Sequence, residues 1–423
     1  GFTVIVGPSQ TLLANMMRFK PSIVLLHNAD PDPVMEKQLR LIKSSGALVF
    51  LLENEGGVYS NYSQLAARLS PDITSYITEY FCWSKDVGEF LKENKTLRAP
   101  IKVTGHVNFD LLKNPYRTVY AVDAEKLKNS YRKLVLVNTN FTIFNGYIAG
   151  MYDHMFSREN INYVGVIMNH FFSLIQKLAI QMPSRDIVVR PHPSENQAPY
   201  HEAFCTLSNV FVISSGPVHP WLIAADALIH HNCTTALEAT LANTPVITFR
   251  PVRDPNFDIE AANCCGVTAA SADEVVHLLN NLERLAERQN VTNPPKFLEN
   301  FEVDAHLAIA ASIDERASSV DVTPIGAPLF FRWRSWLERL KPRMRKSKLL
   351  SLLMSDSQIK MIDYYDRKFP FTRLDETRGD FERVVRAKKM ANRSFTVADL
   401  EGFPSAFIFS KNVVTDADPI ESE

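Results

Sequence analysis

Arg190-Pro191-His192-Pro193-Ser194-Glu195 combines a guanidinium, an imidazole and two ring-locked backbone positions within six residues. It follows directly on the apolar run Asp186–Val189, which reads as a parallel strand. Arginine offers a two-pronged donor that matches a phosphate, and histidine offers a donor able to protonate a leaving phosphate. The prolines fix the loop so that these groups, with Pro193 and Ser194, are presented rigidly. Binding of a phosphate or nucleotide is therefore the chemistry expected here. The competing reading is a turn in which Arg190 and His192 merely cap their neighbours.

A second cluster, His230-His231-Asn232-Cys233-Thr234-Thr235-Ala236-Leu237-Glu238-Ala239, lies about forty residues on, again between a strand and a helix. Thr234 and Thr235 stand where the helix opens, so hydroxyls and unpaired backbone N–H groups converge on an anion. Glu238, one turn in, is positioned to accept from a ribose hydroxyl. Plain helix capping would also place threonines there. His230 and His231 alternate faces on a strand, so at most one points towards a ligand. His231 is favoured by its nearness to the threonines.

Further towards the N-terminus, Leu51-Leu52-Glu53-Asn54-Glu55-Gly56-Gly57 puts two carboxylates beyond a strand, beside glycines that permit close ligand approach. A general base must come within hydrogen-bond reach of the hydroxyl it activates. Glu55, next to the glycines, is the first candidate and Glu53 the second; a solvated loop acid is the alternative for each. Asp30-Pro31-Asp32 resembles a DxD metal motif but reads better as an acidic turn. His27 ends a strand and is equally well a core histidine. His219-Pro220 reads as helix initiation. No residue pattern calls for a metal or a resident cofactor.

The elements that must position these groups form a regular alternation. Phe2–Val6, Ser22–His27, Ala47–Leu52, Phe81–Ser84 and Ile101–Thr104 read as strands, with Val34–Ser44 an amphipathic helix among them. A loop around Asn114–Asp123 leads to Leu134–Asn138, Asp186–Val189, Val210–Ser214, Ala227–His230 and Val246–Phe249. Val166–Gln181 and Thr235–Ala242 read as helices between them. Apolar strands alternating with helices predict parallel α/β sheets covered on both faces. Two such series predict two Rossmann-like domains whose ligand site lies beyond the carboxyl ends of the strands. The divisions are 1–118, 119–318 and a C-terminal helical extension, 319–423. Because the first domain opens on a strand, a strand–helix unit is expected to precede it.

Composition sets bounds on function. The 423 residues are 46% apolar and 22% charged with a net charge of −1, so nothing global points to nucleic acid. Five cysteines without CxxC spacing argue against a disulfide framework or a zinc site and favour a cytoplasmic, reducing setting. No stretch reaches the roughly 18–20 apolar residues of a membrane span. Between Arg332 and Lys348, eight Lys/Arg residues face one acid, Glu338, and interleave with Trp333, Trp336, Leu337 and Leu340. A basic, Trp-bearing helix over 330–350 fits peripheral membrane contact, and a helix docked on the core fits equally.

Taken together, Asn138-Thr139-Asn140-Phe141, the Arg190–Glu195 segment, Cys233-Thr234-Thr235-Ala236-Leu237-Glu238-Ala239 and Thr104-Gly105-His106-Val107-Asn108-Phe109-Asp110 resemble the bacterial surface carbohydrate biosynthesis family over roughly residues 1–315. That family is similar to GT-B glycosyltransferases with a His-Pro motif, including those using CMP-activated Kdo or sialic acid. The resemblance implies that Arg190, His192, Thr234 and Thr235 hold the CMP phosphate of a nucleotide-sugar donor. It implies a glycan or lipid-linked acceptor in lipopolysaccharide or capsule assembly. In the retaining β-Kdo branch an Asp nucleophile precedes Cys-Thr-Thr; here that position is Asn232, an amide that cannot serve. A UDP-sugar or polyol-phosphate transferase, an epimerase of the same fold, and a non-catalytic nucleotide-sugar-binding subunit are the alternatives.

Overall fold

A computed structural model of the chain describes residues 4–7, 21–27, 33–53, 65–66, 69, 71–94, 97–151, 153, 155–291, 301–317, 360, 364, 373–387, 395–399 and 407–411. In chain order the strands are β1 Val4–Val6, β2 Ile23–Leu26, β3 Leu48–Leu52, β4 Glu79–Cys82, β5 Ile101–Val103, β6 Val135–Asn138, β7 Ile187–Arg190, β8 Val210–Val212, β9 Ala227–His230, β10 Val246–Phe249, β11 Val267–Ala269, β12 Phe395–Asp399 and β13 Phe407–Lys411. They belong to two compact units.

The larger unit, Ser22–Thr323 with Lys360–Lys368, holds two parallel sheets. The first has the order β2-β3-β4-β5, every pair parallel. Helix Pro33–Ser44 makes the β2–β3 crossover, and helix Lys85–Glu93 makes the β4–β5 crossover. Ser84 caps the latter by accepting from the Val87 N–H, satisfying one of the donors a helix start leaves open. The second sheet runs β11-β10-β9-β6-β7-β8, again all parallel. Read from β6, the chain winds outward through β7 and β8, then returns past β6 to wind the other way. That is the doubly wound Rossmann order, with its switch point between β6 and β9. Every residue of β4, β6, β7, β9 and β10 is buried, as strands covered on both faces require.

Helix Arg158–Gln181 forms the crossover from β6 to β7. By length and apolar composition it could cross a membrane, contrary to the expectation that no stretch is long enough. Its Ile167, Phe171, Leu174, Ile175 and Leu178 pack with Val135, Val137 and Val189 of the sheet, so its apolar stripe is spent on the core. Helix Ala305–Ala317 packs against the first sheet: Ile309 meets Phe50, Leu52 and Phe81. Asp110 receives the Ala305 and His306 N–H groups at the start of this helix, at 3.2 and 2.9 Å. Glu79 of β4 takes hydrogen bonds from Ser312 and Arg316 further along it.

Three expectations are corrected. Val4–Val6 does not join the parallel series; in the smaller unit it pairs antiparallel with β13, which pairs with β12. The C-terminal extension contains helix Leu374–Ala387, as expected, but also these two strands. Residues 114–123, read as a loop, contain the 3-10 turn Tyr116–Tyr120 and the start of helix Ala121–Ser130, because polar surface helices carry little apolar signal. Residues 330–350 lie outside the described residues, as do Asp30-Pro31-Asp32.

Candidate functional site at the switch point of the second sheet

Since the strands of the second sheet are parallel, the loops after β6, β7 and β9 leave from one edge. Asn138 pairs in register with Arg190 on one side and His230 on the other, so the motifs read from the sequence converge there. The loops are bonded to one another. Asn138 Nδ2 donates to Thr235 Oγ1 at 2.9 Å, and Asn140 Nδ2 donates to the Asn232 carbonyl at 3.1 Å. Thr139 Oγ1 donates to Glu195 Oε1 at 2.9 Å. Residues 145–147 run antiparallel to 194–196 through the Gly146–Glu195 bridge, the Tyr147 N–H on the Ser194 carbonyl and the Asn196 N–H on the Asn145 carbonyl.

His192 is half-buried, and its orientation is set by neighbours. The Ser194 N–H lies 3.2 Å from His192 Nδ1, and Thr142 Oγ1 lies 3.2 Å from the same atom. A backbone N–H can only donate, so Nδ1 is an acceptor and the neutral ring carries its proton on Nε2. The loop is braced from below by Glu195, which is 1% exposed. Its carboxylate accepts from the His192 N–H at 3.0 Å, from Thr139, and from Tyr200 OH at 2.5 Å. Burial pushes the Glu195 carboxyl up, against the pull of these donors.

Arg190 does a different job from the one expected. The strand extends one residue further than its apolar run, so Arg190 is the last residue of β7 and is only 7% exposed. Its Nη1 donates to the carbonyls of Ile213 and Ser215 at 3.3 and 3.0 Å, and its Nη2 to that of Gly216 at 2.9 Å. The guanidinium lies 5.0 Å from the Trp221 ring centre, a cation–π distance. Burial draws its pKa down to about 10, leaving it charged at neutral pH. The fork that a phosphate would need is turned onto the loop after β8.

Asn232 is likewise structural. It adopts a left-handed backbone, φ 52°, a conformation that asparagine tolerates better than most residues. Its Oδ1 accepts from the Ile259 N–H at 2.8 Å and Asn263 Nδ2 at 2.6 Å. Its Nδ2 donates to the Phe257 carbonyl at 3.1 Å, and Asn263 Oδ1 takes its N–H at 2.9 Å. Both ends of the amide are used, so the position needs a donor as well as an acceptor. A side chain so engaged is not poised as a nucleophile.

Of the remaining candidates, Thr235 accepts from Asn138 and contacts Cys233 Sγ, whereas Thr234 makes no capping bond and is half-buried. Glu238 Oε1 lies 3.3 Å from His219 Nε2. His219-Pro220 does begin a helix, His219–Ala224. His231 sits in a buried ionic cluster, 3.2 Å from Asp258. Tyr163 OH and Arg250 Nη2 also donate to Asp258, each at 2.6 Å. Burial pushes the Asp258 carboxyl up, but the bonds from His231, Tyr163 and Arg250 outweigh it and hold it well below the usual range.

In the first sheet, Glu53 Oε2 accepts from Tyr80 OH at 2.8 Å, and the Glu53 carbonyl accepts from Trp83 Nε1 at 2.5 Å. Glu55 lies outside the described residues. Asp110, Asp304 and His306 gather their ligand atoms in one place. Lys113 Nζ stands 2.7 Å from Asp110 and 3.8 Å from Asp304, so a side-chain ammonium already supplies the positive charge. The residues missed from sequence are Thr142, Tyr200 and Tyr163 with Asp258. Thr142 and Tyr200 lie just beyond the two segments read as motifs, and Tyr163 and Asp258 are isolated polar residues with no motif beside them.

Comparison with known protein families finds no match, and no curated protein matches the chain. Solved structures do. UDP-GlcNAc 2-epimerase from Neisseria meningitidis bound to UDP-GlcNAc is similar over 72% of this chain and 79% of that one, with 17% identity and a TM-score of 0.50. S. aureus MnaA bound to UDP follows at 16% identity, 75% and 83% coverage and 0.49. The wall teichoic acid polymerase TagF shows 13% identity, 70% and 72% coverage and 0.47. The topology and the likeness to the Neisseria epimerase agree on the architecture: this chain is an α/β protein with two Rossmann-like domains of the GT-B type.

Proposed function

We propose that the chain is a glycosyltransferase of bacterial surface-polysaccharide assembly, working on the cytoplasmic side of the membrane. It takes a sugar from a nucleotide donor, CMP-linked Kdo or a related ulosonic acid by the resemblance of its motifs, and passes it to a glycan hydroxyl. The observation that carries this reading is the His192 loop at the switch point. Its imidazole is held with Nδ1 accepting, which puts the ring proton on Nε2, and the half-buried Thr234 and Thr235 follow β9 at the same edge of the sheet. A fixed neutral donor at the carboxyl edge of a doubly wound sheet suits a phosphate oxygen whose charge grows as the glycosidic bond breaks. Arg190 contributes by holding the loop's base in place, and Asn232 by shaping the turn after β9.

Activation of the acceptor falls to Glu55, because the Glu53 carboxylate is engaged by Tyr80. Residues 330–350 would bring the enzyme to a lipid-linked acceptor. A second reading is an epimerase acting on a UDP-sugar, the activity named for the Neisseria structure whose fold this chain resembles. Incubation with CMP-Kdo and with UDP-GlcNAc, each with and without a glycan acceptor, separates the two. Acceptor-dependent CMP release supports transfer, and a 2-epimer of UDP-GlcNAc supports the second reading. Binding without any product would leave a nucleotide-sugar-binding subunit.

A further inference from the structure

Ser194 has three polar groups, and each has a partner. Its N–H donates to His192 Nδ1 at 3.2 Å, its carbonyl accepts from the Tyr147 N–H at 2.9 Å, and its hydroxyl lies 3.1 Å from Tyr364 OH. Tyr364 stands 170 residues away in sequence, yet it is buried and belongs to the same compact unit as the second sheet. Its ring stacks on Tyr147 with centroids 6.4 Å apart. Tyr364 thus touches both strands of the 145–147 and 194–196 ladder.

Why this matters follows from the prolines. Pro193 has no N–H, so the first backbone donor after His192 is that of Ser194. The other group on Nδ1 is the Thr142 hydroxyl, which can donate or accept and so suits either tautomer. Of these two groups on Nδ1, the Ser194 N–H is the one that can only donate, so it is the one that requires Nδ1 to accept. If Ser194 turns, that requirement is lifted.

We propose that Tyr364 is a positioning residue of the nucleotide site, acting through Ser194 to hold His192 in the tautomer that donates from Nε2. This rests on the reading of His192 as a phosphate-binding residue, but the tautomer itself is measurable without any ligand. In the full chain labelled with 15N-histidine, the His192 resonances are assigned by their loss in His192→Gln. The wild type should show an unprotonated Nδ1 and a protonated Nε2. Tyr364→Ala should move both nitrogens towards intermediate shifts, and Tyr364→Phe, which keeps the ring on Tyr147, should do so partially.

Affinity for CMP and UDP provides the second readout. Losing one neutral hydrogen bond corresponds to about a two- to tenfold weakening, expected for Tyr364→Phe and for Ser194→Ala. The double variant should be no weaker than either single one, since both remove the same bond. A folded Tyr364→Ala with unchanged His192 shifts would overturn the proposal. If that variant does not fold, unchanged shifts in Tyr364→Phe would overturn it equally. Loss of the tautomer preference with His192→Ala leaving nucleotide affinity intact would keep Tyr364's role and discard the nucleotide site.

Discussion

Replacing Asn232 by Asp keeps the size and shape of the side chain but removes the Nδ2–H that serves the Phe257 carbonyl. It places a carboxylate oxygen against that carbonyl in a site only 7% exposed. An unsatisfied buried group of this kind costs about 1–3 kcal/mol. Asn232→Asp is therefore expected to lower stability in urea unfolding by that amount and to form no sugar adduct by intact mass. Undiminished stability together with a covalent adduct would restore the nucleophile idea. The sequence made Asn232 stand out as a departure from the Asp of the resembling branch. It could not show that Phe257, Ile259 and Asn263, 25 to 31 residues on, require an amide. Arg190 failed to be legible for a related reason. One residue of strand length decides whether a guanidinium faces a ligand or its own backbone.

At the scale of elements, the carboxyl ends of β5 and β9 each carry a buried histidine. His106, after β5, packs on Trp83 and Phe109 at centroid distances of 4.3 and 5.1 Å. His230 ends β9, with Nε2 3.0 Å from Thr248 Oγ1. Burial draws His106 down to about 4; burial, and next the neighbouring His231, draw His230 down to about 3. The unfolded chain, with a histidine pKa near 6.5, takes up these protons first. Stability is then full above about pH 6.5 and falls as pH drops towards 4, by roughly a factor of ten in the folding equilibrium per pH unit per histidine. Urea unfolding between pH 7.5 and 4.5 should show this slope, and His106→Leu should remove one proton's share of it. An unaltered slope in that variant would contradict the assignment. The parallel alternation and most of the strands were legible because buried strands are continuous apolar runs. The pairing of β1 with β13 was not, since an antiparallel partner some 400 residues away leaves no local trace.

For the whole molecule, the GT-B plan could be read from the sequence because two α/β series lie in order along it. The ligand edge could be placed because the Arg190 and Asn232 segments each follow a strand of the second series. The return of helix Ala305–Ala317 onto the first sheet was illegible, because nothing local to Asp110, Glu79 and Ile309 tells that they meet. What the architecture leaves to be tested is whether its switch point takes a nucleotide. Isothermal titration of the wild type and His192→Ala with CMP, CDP, UDP and GDP tests this directly. A pyrimidine nucleotide should bind the wild type and bind His192→Ala about ten- to a hundredfold more weakly, the loss of a hydrogen bond to a charged phosphate, with the variant still folded at the temperature of the titration. Equal affinity in the two proteins, or no binding of any of the four nucleotides to the wild type, would contradict the account.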